Sequence, residues 1–287
     1  MNGILFAVSA VAQWFCAGAT FTYDATFSSQ IGGYPAGCRV ASASNSAIIW
    51  YNTTDNNTSN PDSGGAGWIR ASGIGAPVVL TMAGTHVVYA SFANYLAIVT
   101  GSGGNGSGCQ ANGPGTPISG AGGGAGGTAI GLITGYSQGA SISYTIGSAG
   151  GASASSVGGM TANNGAAGAF YSGSSTNSAG GRGGTASGGA FNIGGGDGSD
   201  GQCGGGTGYA QSLLFAGNGG ASFWGGGGRA GALSVSGGLQ TGGGMTAQAF
   251  GAGGGGTYDG LATNFAAIGG GGGAGIIVLF PLGATVT

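Results

Sequence analysis

The sequence predicts a mainly β and irregular fold, with a short N-terminal helix, a small β module, and a glycine-rich domain combining β-strands with polyglycine II-type helices. Three observations predict it. Glycine supplies 76 of 287 residues and comes in runs, at 225–228, 253–256 and 269–273, interleaved with Phe, Tyr, Trp and Ile. Charged residues make up 3% of the chain, with no Lys and no Glu. Short apolar and β-branched runs bounded by turn residues recur from residue 40 to residue 280, which is a strand signature.

The first two observations oppose each other and together demand an unusual scaffold. Glycine loses the most backbone entropy on folding and brings no side chain to a core, so such compositions usually stay disordered. Disordered chains keep themselves dissolved with charge. A chain with mean hydropathy +0.27 and so few charges has to bury apolar surface, by folding and by association. No fixed Gly-X-Y register runs through it, which excludes a collagen triple helix. Bare backbones can instead form extended helices of three residues per turn, whose N–H and C=O groups point outward and need partners. Side-by-side packing of such helices supplies those partners. Proline, which lacks the donor, is rare there: Pro114, Pro117 and Pro281. On this reading Gly226→Val or Gly271→Val should disrupt folding far more than Ser174→Ala.

Taken in order, residues 3–16 read as a helix. Leu5, Val8, Ala12 and Phe15 fall at helical spacing with Ile4 and Val11 alongside. The seam suits either self-association or docking on the helix's own domain, since two heptads alone make a weak coiled coil. Residues 1–20 form this segment. Residues 21–70 form a small β module, with strand-like runs at 40–43 and 48–51 and turn-forming residues at 52–65. Trp50 and Trp68 are its expected structural anchors. Residues 71–287 form the glycine-rich domain. Runs at 77–82 and 86–90 read as a hairpin about 83–85, and 95–100 as a third strand. Runs at 129–134 and 141–146 read as a second strand pair, and 276–280 as the last strand.

Several function classes are excluded. The cations are Arg39, Arg70, Arg182 and Arg229, too few and too scattered to neutralise a phosphate backbone, so no nucleic acid is expected. No stretch reaches the ~20 apolar residues of a membrane helix, so no membrane insertion is expected. Residues 1–20 lack Lys and Arg and are interrupted by Gln13 and Trp14, unlike a signal peptide. Cys16, Cys38, Cys109 and Cys203 are widely spaced and read as free thiols without a metal site. No cofactor is expected. His86, the single histidine, lies in an apolar strand with no acid near it in sequence, which does not make a catalytic triad. Asp197 and Asp200 lie in a Gly-Asp segment similar to one copy of a calcium-binding repeat. Such repeats work by stacking copies, so a solvated turn is the expectation and no metal is assigned. Without Lys there is no phosphate loop.

The aromatics are more informative. Most phenylalanines are expected to close gaps in the glycine scaffold. Tyr171, Tyr209, Trp224 and Tyr258 adjoin polar residues and are expected to be exposed, where a rigid ring with a polar tip suits binding.

Residues 31–37 (Ile-Gly-Gly-Tyr-Pro-Ala-Gly), a strand ending in Trp50, then Asp55-Asn-Asn-Thr58, Asn60-Pro61-Asp62 and Gly67-Trp68, resemble the GGYP module of tailed-bacteriophage tail fibres. Residues 77–280 resemble the glycine-rich terminal domain of such fibres, closing in Gly-Ala-Gly-Ile-Ile-Val-Leu at 273–279. The resemblance implies a non-enzymatic fibre-tip adhesin at the distal end of the virion's tail fibre. It implies a homotrimer that joins other tail-fibre or baseplate proteins and binds a bacterial surface receptor, protein or glycan. Tyr171, Tyr209, Trp224 and Tyr258 are its candidate receptor contacts. A typical fibre also has a long shaft, so a short fibre, a tip subunit or a fragment all remain open. The alternative is a purely structural virion fibre or self-assembling extracellular protein without a receptor.

Overall fold

A computed structural model describes residues 20–45, 48–70, 77–87, 94–110, 118–136, 140–151, 153–172, 177–202, 215–231, 241–259 and 268–282, together with Ser9 and Gln13. Ser9 and Gln13 are helical; the rest of the expected helix at 3–16 lies outside the described residues. The protein is mainly β and irregular, with one short α-helix lying wholly within the described residues, α1 (Ala25–Ile31). That helix opens on Asp24, whose carboxylate accepts from Thr26 and Phe27 N–H, and closes on Gly32 at φ 77°. Both are standard end signals.

The module is a three-stranded antiparallel meander of β1 (Arg39–Ala41), β2 (Ile49–Asn52) and β3 (Trp68–Arg70). Tyr23, Tyr34, Val40, Trp50 and Trp68 form its core. Both tryptophans bury their rings and satisfy their indoles: Trp50 Nε1 donates to Asp62 at 2.9 Å and Trp68 Nε1 to the Ser59 carbonyl at 2.8 Å. The Gly-Gly-Tyr segment has a steric cause. Gly33 sits at φ 103° and a Cβ there would fall on the Asn56 carbonyl, so no other residue fits. Buried Asn52 and Asn57 then tie the turns together, Asn57 Nδ2 donating to Asn52 Oδ1 at 2.8 Å.

The remaining strands are β4 (Val78–Leu80), β5 (Gly84–Val87), β6 (Asn94–Thr100), β7 (Cys109–Gln110), β8 (Ile118–Ser119), β9 (Thr128–Ile133), β10 (Ser141–Thr145), β11 (Ser155–Val157), β12 (Met160–Ala162), β13 (Tyr171–Ser172), β14 (Ala186–Ser187), β15 (Phe191–Ile193), β16 (Thr241–Gly242), β17 (Tyr258–Asp259) and β18 (Ile276–Leu282). Two five-stranded antiparallel sheets, ordered β15-β9-β6-β18-β4 and β14-β12-β11-β10-β5, face each other. Tyr95, Val99, Ile133, Ile142, Met160, Ile277 and Leu279 fill the space between them.

Among the described residues neither the expected hairpin nor the expected strand pair forms. β4 pairs with β18 while β5 pairs with β10, so the turn at 81–83 crosses from one sheet to the other. β9 pairs with β6 and β15, and β10 with β5 and β11. β4, β6, β9, β10 and β18 lie on the expected runs, whereas β5 begins inside the expected turn at 83–85 and residues 88–90 lie outside the described residues. Their partners are set by a shared core instead: Val78 and Leu80 enter it from one sheet and Ile142 from the other.

From the ends of these strands the chain runs, among the described residues, into ten glycine-rich segments: 101–107, 119–127, 163–169, 178–185, 195–202, 215–221, 226–231, 243–248, 251–257 and 268–275. Their backbone bonds repeat every third residue. N–H of Ser119, Gly122 and Ala125 donate to Gln202, Ser199 and Gly196; those of Gly120, Gly123 and Gly126 donate to Thr257, Gly254 and Gly251. Gly124 and Gly127 donate to Ala166 and Asn163. The carbonyls of 119–127 accept in the same rhythm from 101–107, 178–185 and 215–221. Segment 119–127 is thus enclosed by six others, and each of the six bonds to the next around it. Segment 251–257 has its own ring of six: 101–107, 119–127, 215–221, 226–231, 243–248 and 268–275. A period of three with bonds radiating to six neighbours is the packing of polyglycine II helices, in which every backbone group finds a partner without a sheet.

This packing explains the glycines, and corrects the two chosen from sequence. A Cβ on Gly122, Gly123, Gly253 or Gly254 would fall on a neighbouring carbonyl. At Gly226 a Cβ meets nothing within 4 Å, and at Gly271 its nearest contact is Thr246 Cγ2 at 3.5 Å. Both face outward at the rim of the bundle. Their neighbours Gly227 and Gly272 face inward, onto Gly219 and Gly103. Ser174 lies outside the described residues.

Candidate functional site

The hydrogen-bond register gives the bundle two ends. Residues 101, 127, 163, 185, 195, 251 and 275 lie at the end carrying the two large sheets, because each lies within two residues of one of their strands or bonds to a residue that does. Residues 107, 119, 169, 178, 202, 217, 231, 257 and 268 lie toward the opposite end. The described residues flanking 111–117, 173–176, 203–214, 232–240 and 260–267 all stand at that opposite end. It is the candidate functional site.

Small sheets brace it. β7 and β13 pair in parallel, and β16-β17-β8 form an antiparallel trio. A buried polar lattice locks the segment ends together. Ser119 Oγ donates to the Phe215 carbonyl at 3.0 Å and accepts from Gln202 N–H at 2.7 Å, while Ser178 Oγ donates to the Ser119 carbonyl at 2.9 Å. Thr257 Oγ1 donates to Cys109 Sγ at 3.0 Å. Burial pushes the Cys109 thiol up to about 11, with Asp259 adding to the effect. That describes an inert structural thiol rather than a nucleophile. Cys38 is likewise a free thiol, and Cys16 and Cys203 lie outside the described residues.

The four aromatic candidates do not come together. Tyr171 stands in β13 at this end, and its side chain is outside the described residues. Tyr209 falls in 203–214 and is also outside them. Tyr258 is 5% exposed, and burial pushes its phenol above the usual range. The expectation that it is exposed is therefore corrected. Tyr258 pairs with Ser119 in the middle strand of its trio, which closes over it. Trp224 is 36% exposed but lies at the other end, in the turn at 222–225. There its Nε1 donates to Thr100 Oγ1 at 2.9 Å and its ring meets Phe223 edge-on.

Sequence reasoning misplaced the phenylalanines too. Phe170, Phe191, Phe215, Phe223 and Phe250 are exposed. Segments packed backbone to backbone leave no internal gap for a ring, so the rings are expelled to the rim and the ends. Phe170, Phe215 and Ile268 are exposed apolar groups at the candidate end. The signal available in the sequence was their position at the borders of glycine blocks.

Asp197 and Asp200 do not form a turn. They project one helical turn apart from segment 195–202, and each accepts a backbone N–H of the adjacent segment, from Gly183 and Gly180 at 2.7 Å. The carboxylates supply acceptors where the bundle has no further neighbour. Among the described residues no group of three or more His, Cys, Asp or Glu gathers. His86 is buried edge-on against Tyr95, and burial pushes its imidazole below the usual range. No helix among the described residues is long and apolar enough to cross a membrane.

The chain matches no protein-family model and no curated protein.

Proposed function

We propose that this protein is a tail-fibre tip adhesin that binds a bacterial surface receptor through the segments joining its glycine helices at one end of the bundle. The observation that carries the reading is that five connections emerge at a single end of a scaffold whose own surface is almost devoid of charge. A bundle held by backbone bonds leaves chemical specificity to the residues between its segments. Those residues, 111–117, 173–176, 203–214, 232–240 and 260–267, contain the amide, hydroxyl, aromatic and aliphatic side chains that a receptor contact requires, Tyr209 among them. The resemblance to phage fibres supplies the class of partner. Weak contacts repeated over several copies per virion, as in a homotrimer, would give avidity without a tight single site.

The test is cell labelling with purified protein. Fluorescent protein is expected to bind bacteria of a permissive strain and to compete with phage adsorption. Exchange of 203–214 for a glycine-serine stretch of equal length is expected to abolish binding while leaving the melting curve in place. Absence of labelling and competition on every permissive strain favours the purely structural fibre instead.

A further inference from the structure

We propose that residues 3–16 dock as a helix across the outer face of the β15-β9-β6-β18-β4 sheet of the same chain. The face is apolar from edge to edge. Directly opposed residues share a face of an antiparallel sheet, and the register places Val79, Val278, Ile98, Ile130 and Phe191 in one row, one from each of the five strands. Leu96 and Leu132 stand side by side in the next row. Leu132 is 62% exposed and Phe191 69% exposed. A water-facing antiparallel sheet normally alternates polar residues outward, so this one is built to be covered.

Residues 3–16 fit it in three ways. The first is composition. The segment contains no charge, and its outward-turned polar residues, Ser9 and Gln13, are helical, exposed and four apart, hence on one side. Ile4, Val8, Val11 and Phe15, none of them three or four positions from Ser9 or Gln13, are left for the other. The second is size. Fourteen residues of helix span about 21 Å, and four strand spacings span about 19 Å.

The third is reach. Thr22 bridges to Ala41 of β1, and Arg70 of β3 opposes Trp50 of β2, so the two ends of the module lie about 14 Å apart, three strand spacings. Residues 71–76 extend at most ~25 Å to Pro77, which adjoins β4 at the edge of the same sheet. A segment tethered that closely meets its own face at an effective concentration that a second copy does not match. This inference rests on the fold alone, so its failure leaves the receptor reading untouched.

The experiment places p-benzoylphenylalanine at Leu132 in the full chain, irradiates it at low protein concentration, and maps the adducts by mass spectrometry. The residue is exposed, so the substitution does not threaten the core. The expected result is a major adduct to residues 3–16 in a species of single-chain mass. Its yield is expected to fall several-fold in a chain also carrying Val8→Glu and Val11→Glu. An adduct joining two chains, or no adduct to 3–16 in the parent protein, overturns the proposal; the first of these makes the face an interface between copies.

Discussion

Replacing Gly123 by Ala tests the central claim that the bundle is held by direct contact of backbones. Gly123 lies in the segment enclosed on all sides. A Cβ there would fall against the Gly104 carbonyl, with the Asn105 carbonyl oxygen at 2.6 Å. Segment 101–107 has to retreat, yet it is tied to 119–127 by Gly101, Gly104 and Ser107 N–H donating to Gly127, Gly124 and Ala121 at 3.0, 2.8 and 2.8 Å. Losing two such buried bonds costs about 4 kcal/mol at ~2 kcal/mol each. Alanine returns ~0.7 kcal/mol by restricting the unfolded chain. The net loss is about 3 kcal/mol, a large part of a typical total stability.

Gly226→Ala is the control, because a Cβ there meets nothing within 4 Å and the same unfolded-state term makes it neutral or slightly stabilising. Gly227→Ala should fall between the two. Its Cβ strikes Gly219, but segment 226–231 is at the rim and can move outward. Denaturant midpoints of the three variants give the ranking. Equal midpoints for Gly123→Ala and Gly226→Ala would refute the reasoning.

Three further outcomes are expected. Burial holds the His86 imidazole below its usual 6.5, so the unfolded chain binds the extra proton first on acidification. Stability is therefore complete above pH 6.5 and falls as pH drops below it, by at most ~1.4 kcal/mol per pH unit, a slope that thermal melts of His86→Gln should lack. For Asp62, burial raises the carboxyl, but hydrogen bonds from Ser42, Trp50, Ala43 and Ser44 outweigh that and hold it below 3.8. Its contribution is full above pH 3.8 and is lost as pH falls through the lowered value. Asp62→Ala should loosen the module by about 2 kcal/mol, read as a red shift of Trp50 emission in denaturant titrations. Cys109 should resist iodoacetamide at pH 8 in the folded protein and react once unfolded, as peptide mass mapping would report.

What the sequence reveals here is local, and what it hides is relational. Strands at 95–100 and 276–280 announce themselves by composition, and β6 and β18 lie there. That β18 would pair with β4 as well as β6 depends on residues far apart in the chain. The helix α1 was missed because its Ala-Thr-Phe-Ser-Ser-Gln-Ile sequence has weak helical preference; Asp24 and Gly32 marked its ends all the same. Polyglycine packing follows from composition, but its phase does not. Gly226 and Gly227 are the same residue, and the Cβ each lacks points toward solvent in one case and toward a carbonyl in the other. Tyr258 and Phe215 exchanged places for a related reason. Flanking polarity predicted exposure for the tyrosine, while a bundle without internal gaps decided the outcome for both.

The scarcity of charge now has a structural cause. A segment with six bonded neighbours has no surface on which a long charged side chain can stand: its enclosed side chains are small, such as Ala121, Ala125 and Ala252, and the charged ones appear where a neighbour is missing. Arg182, Asp197 and Asp200 all lie on such outer positions. Asn218 and Asn105 serve there as Asp197 and Asp200 do, their side-chain carbonyls accepting from Ala230 and Gly272 N–H at 2.9 Å. These short polar side chains act as a rim, replacing the acceptor that a further segment would have provided. Removing them exposes unpaired donors along the side of the bundle, the same hazard that an open strand edge presents. Asp197→Gly with Asp200→Gly is therefore expected to leave each bundle folded but prone to side-by-side association. Light scattering over a concentration series should show growth in mass for that variant and none for the parent. A parent and variant that scatter alike would mean that water satisfies those donors equally well, and that the carboxylates are there for another reason.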